Sequence, residues 1–416
     1  MLSERWLRAQ PEQAREALRR RHADAETLAA LAAWLDLDAE RRALAAGFDA
    51  QAAEARRLAD THDPWQADAR AAAKASQRAL GDLADRMRAL ALSLPNSPDP
   101  RAPDGADAAA NRVVREWGER PSFDFAAQPH DVIGARLGIL DLSRATRMSG
   151  ARFPLLLGAG ARLARALAAL MLDAHHAEGY VEVAPPDLLL PETLTGSGHL
   201  PKHAQDLFAL PADGLYLSPT AEAQLMALHA GETLDATALP LRYTAYTQAY
   251  RREAGSAGAR THGLLRQRQF GKVELAQVVA PEAADAALAA MVASAETLLR
   301  RLELPYRVVE LCAGELPFSA TRTLDLEVWL AGEGRYIEIS SVSDCGEFQV
   351  RRLDLRYRLR PGALAYPHTL NGSALPIGRT LAALLERGQR ADGSVALPNA
   401  LVAYGAPVAL QPPTGV

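Results

Sequence analysis

Mostly apolar residues, with Gln51 the polar exception, recur in steps of three and four along the first quarter of the chain. Leu44, Phe48, Gln51, Ala55 and Leu58 are spaced 4, 3, 4, 3, and Leu80, Leu83, Met87, Leu90 and Leu94 are spaced 3, 4, 3, 4. Positions three and four apart share a helix face, so each run predicts a long helix with a heptad seam. Between the runs lies Thr61-His62-Asp63-Pro64, a helix stop followed by a proline suited to open the next helix. The pattern predicts an antiparallel helical hairpin over residues 37–94. Its seam is narrow, so most of both helices must face solvent or a partner.

The pattern then changes. Residues 94–105 read Leu-Pro-Asn-Ser-Pro-Asp-Pro-Arg-Ala-Pro-Asp-Gly, a linker by its prolines. Beyond it, helical periods mix with Val/Tyr/Ile runs, which predicts an α+β domain with a substantial antiparallel sheet. The expected organisation is an N-terminal helical arm with its linker over 1–105 and a second domain over 106–416, with no internal repeat.

Composition narrows the picture. The chain has 416 residues, 49% hydrophobic and 23% charged, enough to bury a core and too apolar for wholesale disorder. Its net charge of −4 excludes a uniformly basic nucleic-acid coat but not a local basic stripe. Residues 41–94 carry nine basic side chains, Arg41, Arg42, Arg56, Arg57, Arg70, Lys74, Arg78, Arg86 and Arg88, against seven acidic ones. A solvated or dimerising hairpin fits that balance as well as an RNA-binding one. Two cysteines, Cys312 and Cys345, make neither a disulfide framework nor a four-cysteine zinc site, and fit a reduced compartment. The N-terminus has no signal-type apolar run, and the longest apolar stretch, around 163–172, is broken by Arg162 and Arg165. A soluble cytoplasmic protein with no membrane partner is expected.

The richest chemistry lies in 246–274, read as strand, Gly-rich loop, strand. Side chains alternate on a strand, so Arg251 and Glu253 are expected on one face, as are Arg266, Arg268, Phe270, Lys272 and Glu274 on the returning strand. Such a face could hold a planar aromatic ligand bearing phosphates, with Phe270 stacking the ring and arginine forks gripping oxygens. A hairpin with one solvated face fits the same spacing. Gly255-Ser256-Ala257-Gly258 is not a P-loop, because no Gly-Lys-Ser/Thr follows. Three further pieces are individually weak: Ser218-Pro219-Thr220-Ala221-Glu222 at a helix start, Glu338 with Ser340 on a strand, and His368-Thr-Leu-Asn-Gly-Ser373 leading to Gly378-Arg379.

Taken in order, these pieces resemble the bacterial-type seryl-tRNA synthetases, class II aminoacyl-tRNA synthetases. Gly179–Pro186 is similar to the first class II motif, Arg251–Gly258 through Arg266–Phe270 and Lys272–Glu274 to the second, and His368–Ser373 through Gly378-Arg379-Thr380 to the third. Thr195–Pro201, Thr220-Ala-Glu222, Glu338–Ser341 and the helical hairpin extend the resemblance over essentially the whole chain. It implies a catalytic domain on an antiparallel sheet flanked by helices. It also implies attack of the serine carboxylate on the α-phosphorus of ATP, followed by transfer to tRNA(Ser).

The resemblance further implies roles. Arg251 and Arg379 are the catalytic cations: Arg251 on the α-phosphate and the serine carboxylate, Arg379 over the base near the γ-phosphate. Glu253 meets the adenine amino group, Phe270 stacks the base and Arg266 binds the bent triphosphate. Arg252, Ile339 and Ser340 complete the ATP-binding set. Glu338 and Ser341 anchor Mg²⁺, a hard ion suited to oxygen ligands; being three apart, they share a side only where the strand bends or ends. Thr220 and Glu274 hold the serine ammonium and hydroxyl, Ala221 and Glu222 adjoin them, and Ser373 closes the pocket. No zinc is expected, and a homodimer through 163–186 is.

Arg252 stands where the family typically has serine, Gly271 where it has a polar residue, and Val342 where cysteine is common. Ala259-Arg260-Thr261-His262 replaces the common Arg-Asp-Thr-Arg, and the hairpin is about a dozen residues short. Two other readings remain: a duplicated paralogue supplying seryl-adenylate or seryl-tRNA to a specialised pathway, and a catalytically silent relative that binds RNA or protein.

Overall fold

A computed structural model describes residues 1–60, 65–254 and 262–413. The chain divides into two units, Met1–Pro98 and Asp99–Val416.

In the first unit two long helices, Ala25–Asp60 and Gln66–Ser93, run along the heptad runs. Ala55, Leu58, Leu83, Met87 and Leu94 are buried, whereas Leu44, Phe48, Leu80 and Leu90 are half-buried and Gln51 is exposed. Gln51 still bridges the pair, since Ser76 Oγ donates to its Oε1 at 2.8 Å. The Thr61–Pro64 turn lies outside the described residues. A feature the heptads do not announce is the base of the hairpin. Two short helices, Glu4–Ala9 and Pro11–Arg20, pack Leu7, Ala14 and Leu18 against Leu31, Trp34, Met87 and Leu94. The first is capped by Ser3, and Pro11 opens the second.

Arg41 and Arg42 do not simply present charge outward; with Arg8 they converge on the buried carboxylate of Asp38. Arg8 donates from Nε at 2.8 Å and from Nη2 at 2.6 Å, and Arg42 Nε at 2.9 Å. These bonds, Arg8's above all, hold the Asp38 carboxyl down to about 2.

The second unit is built on one eight-stranded sheet. In chain order its strands are β1 (Arg112–Trp117), β2 (Val181–Glu182), β3 (Leu241–Tyr250), β4 (Gln269–Val279), β5 (Tyr306–Glu310), β6 (Arg322–Leu330), β7 (Arg335–Gly346) and β8 (His368–Pro376). Their spatial order is β1-β5-β6-β7-β8-β4-β3-β2. Every pair is antiparallel except β2–β3. Helices Ala159–Ala177, Ala284–Arg301 and Ile377–Gly388 bury their apolar stripes in one core with the sheet, including Leu163, Leu167, Met291, Leu298 and Leu384. Each such side chain stabilises by roughly 1.5–3 kcal/mol relative to exposure. That core fixes the central strands whose other side chains form the site.

The returning strand of the hairpin begins at Gln269, so Arg266 and Arg268 precede it and do not extend the alternation of Phe270, Lys272 and Glu274. Gly271 has a steric reason: a Cβ there would lie 2.6 Å from the Tyr246 hydroxyl.

Candidate active site

Strands β4, β7 and β8 and the start of helix Ile377–Gly388 enclose a cleft of about 470 Å³. Of the residues singled out above, Glu222, Arg251, Glu253, Arg266, Phe270, Glu274, Glu338, Ile339, Ser341, Ser373 and Arg379 line it. Gly255–Arg260 and Thr261 lie outside the described residues.

The floor is a buried polar set. Glu274 pairs in register with Ser373 on β8, so both face the cleft. Thr220 Oγ1 donates to Glu274 Oε2 at 2.9 Å, behind the cleft surface. Lys272, two residues away on the same face, forms an ion pair with Glu274 and donates to Ser373 Oγ at 3.2 Å. Glu222 accepts from Gln349 Nε2 at 2.7 Å and from Asn371 Nδ2 at 3.0 Å. Burial and the neighbouring Glu274 charge push its carboxyl up to about 7, against the opposing pull of Lys272. Its charge is thus undercompensated.

The wall carries the cations. Arg251 leaves β3 with its backbone N–H on Arg268 O at 2.9 Å and Nε on Pro219 O at 3.2 Å. Its guanidinium carbon sits 5.3 Å from the Phe270 ring centroid, a cation–π distance. Glu253 takes a left-handed backbone, φ +55°, and pairs with Arg266. Across the cleft, Arg379 Nε donates to Leu265 O at 3.1 Å and Nη1 to Glu338 O at 2.7 Å. At Gly378 a Cβ would fall 2.0 Å from Gln267 Nε2, so the Gln267 side chain would have to move.

The strand bend needed to bring Glu338 and Ser341 together exists. On β6, Leu326 pairs with Ser340 and Glu327 with Glu338, leaving Ile339 unpaired as a β-bulge. The extra residue shifts the alternation by one, and both Glu338 and Ser341 line the cleft. Ser340 instead is buried and donates to Ser373 O.

Three other singled-out residues do not line the cleft. Arg252 is exposed, with its backbone N–H on Asp206 O at 2.8 Å; Ala221 is buried beneath the floor; Thr220 reaches it only through Glu274. The sequence reading missed Lys272 as a partner of Glu274, although alternation had put both on one face. It also missed Asp325, opposite Ser341 on β6, whose carboxyl burial pushes well above the usual range. Gln349, on helix Phe348–Leu353 and outside every quoted motif, was missed as well, and Asn371, though inside His368–Ser373, was not read as a partner of Glu222.

The family described as tRNA synthetase class II core domain (G, H, P, S and T) matches residues 209–388. The serine–tRNA ligase of Synechococcus sp. strain WH7803 is 53% identical over 330 residues, 79% of this chain and 77% of its own length. That of Desulfosudis oleivorans is 44% identical over 417 residues, covering 97% and 98%. Among solved structures, seryl-tRNA synthetase from Pyrococcus horikoshii complexed with ATP superposes with a TM-score of 0.95 at 30% identity, covering 100% of both chains. The cytoplasmic serine–tRNA ligase of Naegleria fowleri in complex with AMP gives 0.87 at 26% identity over 97% and 96%. A charged cleft on an antiparallel sheet, a long helical hairpin and these likenesses agree: the chain belongs to the serine–tRNA ligase family of class II aminoacyl-tRNA synthetases.

Proposed function

We propose that this ligase joins L-serine to ATP as seryl-adenylate, releasing pyrophosphate, and then transfers the seryl group to tRNA(Ser). The observation that carries this reading is the cleft itself, with guanidiniums on its walls and a buried polar floor of Glu274, Lys272 and Ser373 backed by Thr220. The serine carboxylate is already a nucleophile, so the chain need only position it and neutralise phosphate charge. In this reading Arg251 meets both carboxylate and α-phosphate, Phe270 stacks the base, and Arg379 covers its far side; their shared place on the cleft wall supports it. Glu253 and Arg266, paired with each other, exchange that contact for the adenine amino group and the triphosphate. Glu222 meets the serine ammonium.

Glu338 and Ser341, hard oxygen donors brought to one face by the bulge between them, fit Mg²⁺. When bound there with ATP, the ion would supply positive charge to the phosphate oxygens.

The floor favours serine over its neighbours. A site built to bond a hydroxyl rejects an analogue lacking it by on the order of 10⁴-fold, whereas the extra methyl of threonine is sieved by only about 10–200-fold. Serine-dependent ATP–pyrophosphate exchange, run beside alanine and threonine and beside tRNA(Ser) charging, tests this. Alanine exchange as fast as serine exchange would overturn it, as would exchange without charging for the transfer step.

The arm supports an RNA partner. Arg70, Lys74 and Arg78 repeat every four residues on one helix, and Arg56, Arg70 and Lys74 flank a groove floored by Phe48 and Ala52. A-form RNA is read mainly by shape and backbone, which such a stripe suits. A homodimer through the Ala159–Ala177 helix and β2 is supported by the exposed Val181, Leu188 and Leu190. No helix among the described residues is long and apolar enough to cross a membrane.

A further inference from the structure

His262 stands at the foot of the β3–β4 connection, four residues before Arg266, and its ring sits between two carboxylates. Nδ1 lies 2.9 Å from Asp131 Oδ2 and Nε2 lies 2.6 Å from Glu333 Oε1. A neutral imidazole has one N–H donor and one acceptor lone pair, and ionised carboxylates only accept. Both contacts are hydrogen bonds only in the imidazolium.

The surroundings leave that charge on His262. The ring stacks on His130, with centroids 5.5 Å apart and planes 10° from parallel. His130 is fully buried and already committed: its Nε2 accepts the Leu264 N–H at 3.0 Å and its Nδ1 faces Glu386 Oε1 at 2.8 Å. Glu386 also takes the backbone N–H groups of His130 and Gly332, at 3.0 and 2.8 Å. Arg335, from β7, is a second cation on Glu333, at 3.4 Å. Asp131 and His130 come from helix His130–Arg136, Glu333 from the β6–β7 turn and Glu386 from helix Ile377–Gly388.

This cluster adjoins the cleft wall through the backbone. Leu264, held by His130, and Leu265, whose carbonyl receives Arg379 Nε, both line the cleft, and Arg266 follows directly. Gly263, at φ +61°, turns the chain between His262 and this wall; a Cβ there would lie 2.3 Å from His130 Nε2.

We propose that His262, as an imidazolium clasped between Asp131 and Glu333, is a positioning residue that holds the Leu264–Arg266 backbone in the shape that receives ATP. Burial pulls the ring's pKa down, but the hydrogen bonds and charges of Asp131 and Glu333 outweigh it, and the group titrates above its ordinary value. The sign follows. The clasp is complete below the ordinary histidine value of about 6.5 and opens as pH rises through the raised one. Arginine at this position would stay charged throughout.

The test uses the full-length protein and has two arms. In the first, the His262 ring is titrated by NMR of histidine labelled at ¹³Cε1, its resonance assigned by its loss in His262→Arg. An inflection above about 6.5 is expected; one at or below that value overturns the proposal. In the second, KM for ATP in serine-dependent exchange is compared across pH for wild type, His262→Arg and His262→Gln. Between about pH 6.5 and 9, wild-type KM should rise about fivefold more than that of His262→Arg, with kcat changing far less. His262→Gln should show the raised KM already at the acid end. Titration of ATP, serine and Glu222 is common to all three and cancels. A His262→Gln enzyme with wild-type KM for ATP at about pH 6.5 would sink the clasp. This arm rests on the adenylation reading, and failure of that reading is distinguishable: the wild type would then show no serine-dependent exchange at all.

Discussion

Two carboxylates, Asp38 in the arm and Glu222 in the cleft, are treated in opposite ways. Asp38, with 2% of its side chain exposed, is met by Arg8, Arg41 and Arg42 and is held down to about 2. Glu222 receives only neutral amide donors, stands near Glu274, and is pushed up to about 7. Lys272, the nearby cation, is engaged by Glu274 and Ser373. The first carboxylate is complete within the fold and serves to tie helix Glu4–Ala9 to helix Ala25–Asp60. The second is left short of positive charge, the condition in which an ammonium-bearing substrate is attracted. Enclosed charge marks a site when it is undercompensated, not merely when it is buried.

The largest expected effect separates the two regions outright. Replacing residues 49–79 with a short Gly/Ser turn removes Arg56, Arg70, Lys74 and Arg78 but keeps the base formed by Leu7, Leu18, Trp34, Met87 and Leu94. Charging of tRNA(Ser) should fall by about 10³-fold, and serine-dependent exchange should stay within about twofold. Equal losses in both assays would show that the arm serves the cleft. Next in size is Arg251→Ala, which should lower kcat/KM for exchange by roughly 10²-fold. Lysine should rescue it poorly, because a point charge cannot reproduce a fork that meets carboxylate and phosphate together. Near-wild-type exchange by Arg251→Lys would remove Arg251 from that role.

A smaller effect comes from Glu222 itself. Its ionised form is the one that receives an ammonium, so KM for serine should rise by about tenfold as pH falls from about 8 to 6, through the value near 7. In Glu222→Gln that step should vanish, with KM high throughout. The same raised carboxyl makes its ionisation unfavourable to folding, a penalty present above about 7 and absent below the ordinary glutamate value. Asp38 has the opposite sign: it stabilises above the ordinary aspartate value, and that gain is lost only as pH falls through about 2. Asp38→Asn should therefore cost stability, about 2 kcal/mol from weakened charge-assisted bonds, read as a lower Tm by circular dichroism. Exchange by the folded variant should not change; if it does, Asp38 is not the self-contained member of the pair.

How much of this was legible beforehand depended on the reach of each contact. The arm's seam residues Ala55, Leu58, Leu83, Met87 and Leu94 could be read from heptads, since helix faces follow from local spacing. The base could not, because Leu7 and Leu18 find Trp34 and Leu94 only after the chain has turned back. Alternation placed Phe270, Lys272 and Glu274 together correctly but overextended to Arg266 and Arg268, which lie before the strand begins. The bend at Ile339 was a condition the sequence posed and β6 pairing answered.

By itself, then, the sequence determined the elements, their apolar faces and the residues that stand together within one motif. Those depend on backbone periods of 3.6 and 2 and on neighbours a few residues apart. Tertiary structure decided the distant charges and partners: that Arg8 joins Arg41 and Arg42 on Asp38, that Gln349 and Asn371 meet Glu222, that Thr220 bonds Glu274, and that His262 lies between Asp131 and Glu333. A carboxylate's state is set by what surrounds it in space: Arg41 and Arg42 reach Asp38 from the next helical turn, but Arg8 comes from 30 residues away, and the amides on Glu222 come from 127 and 149 residues away.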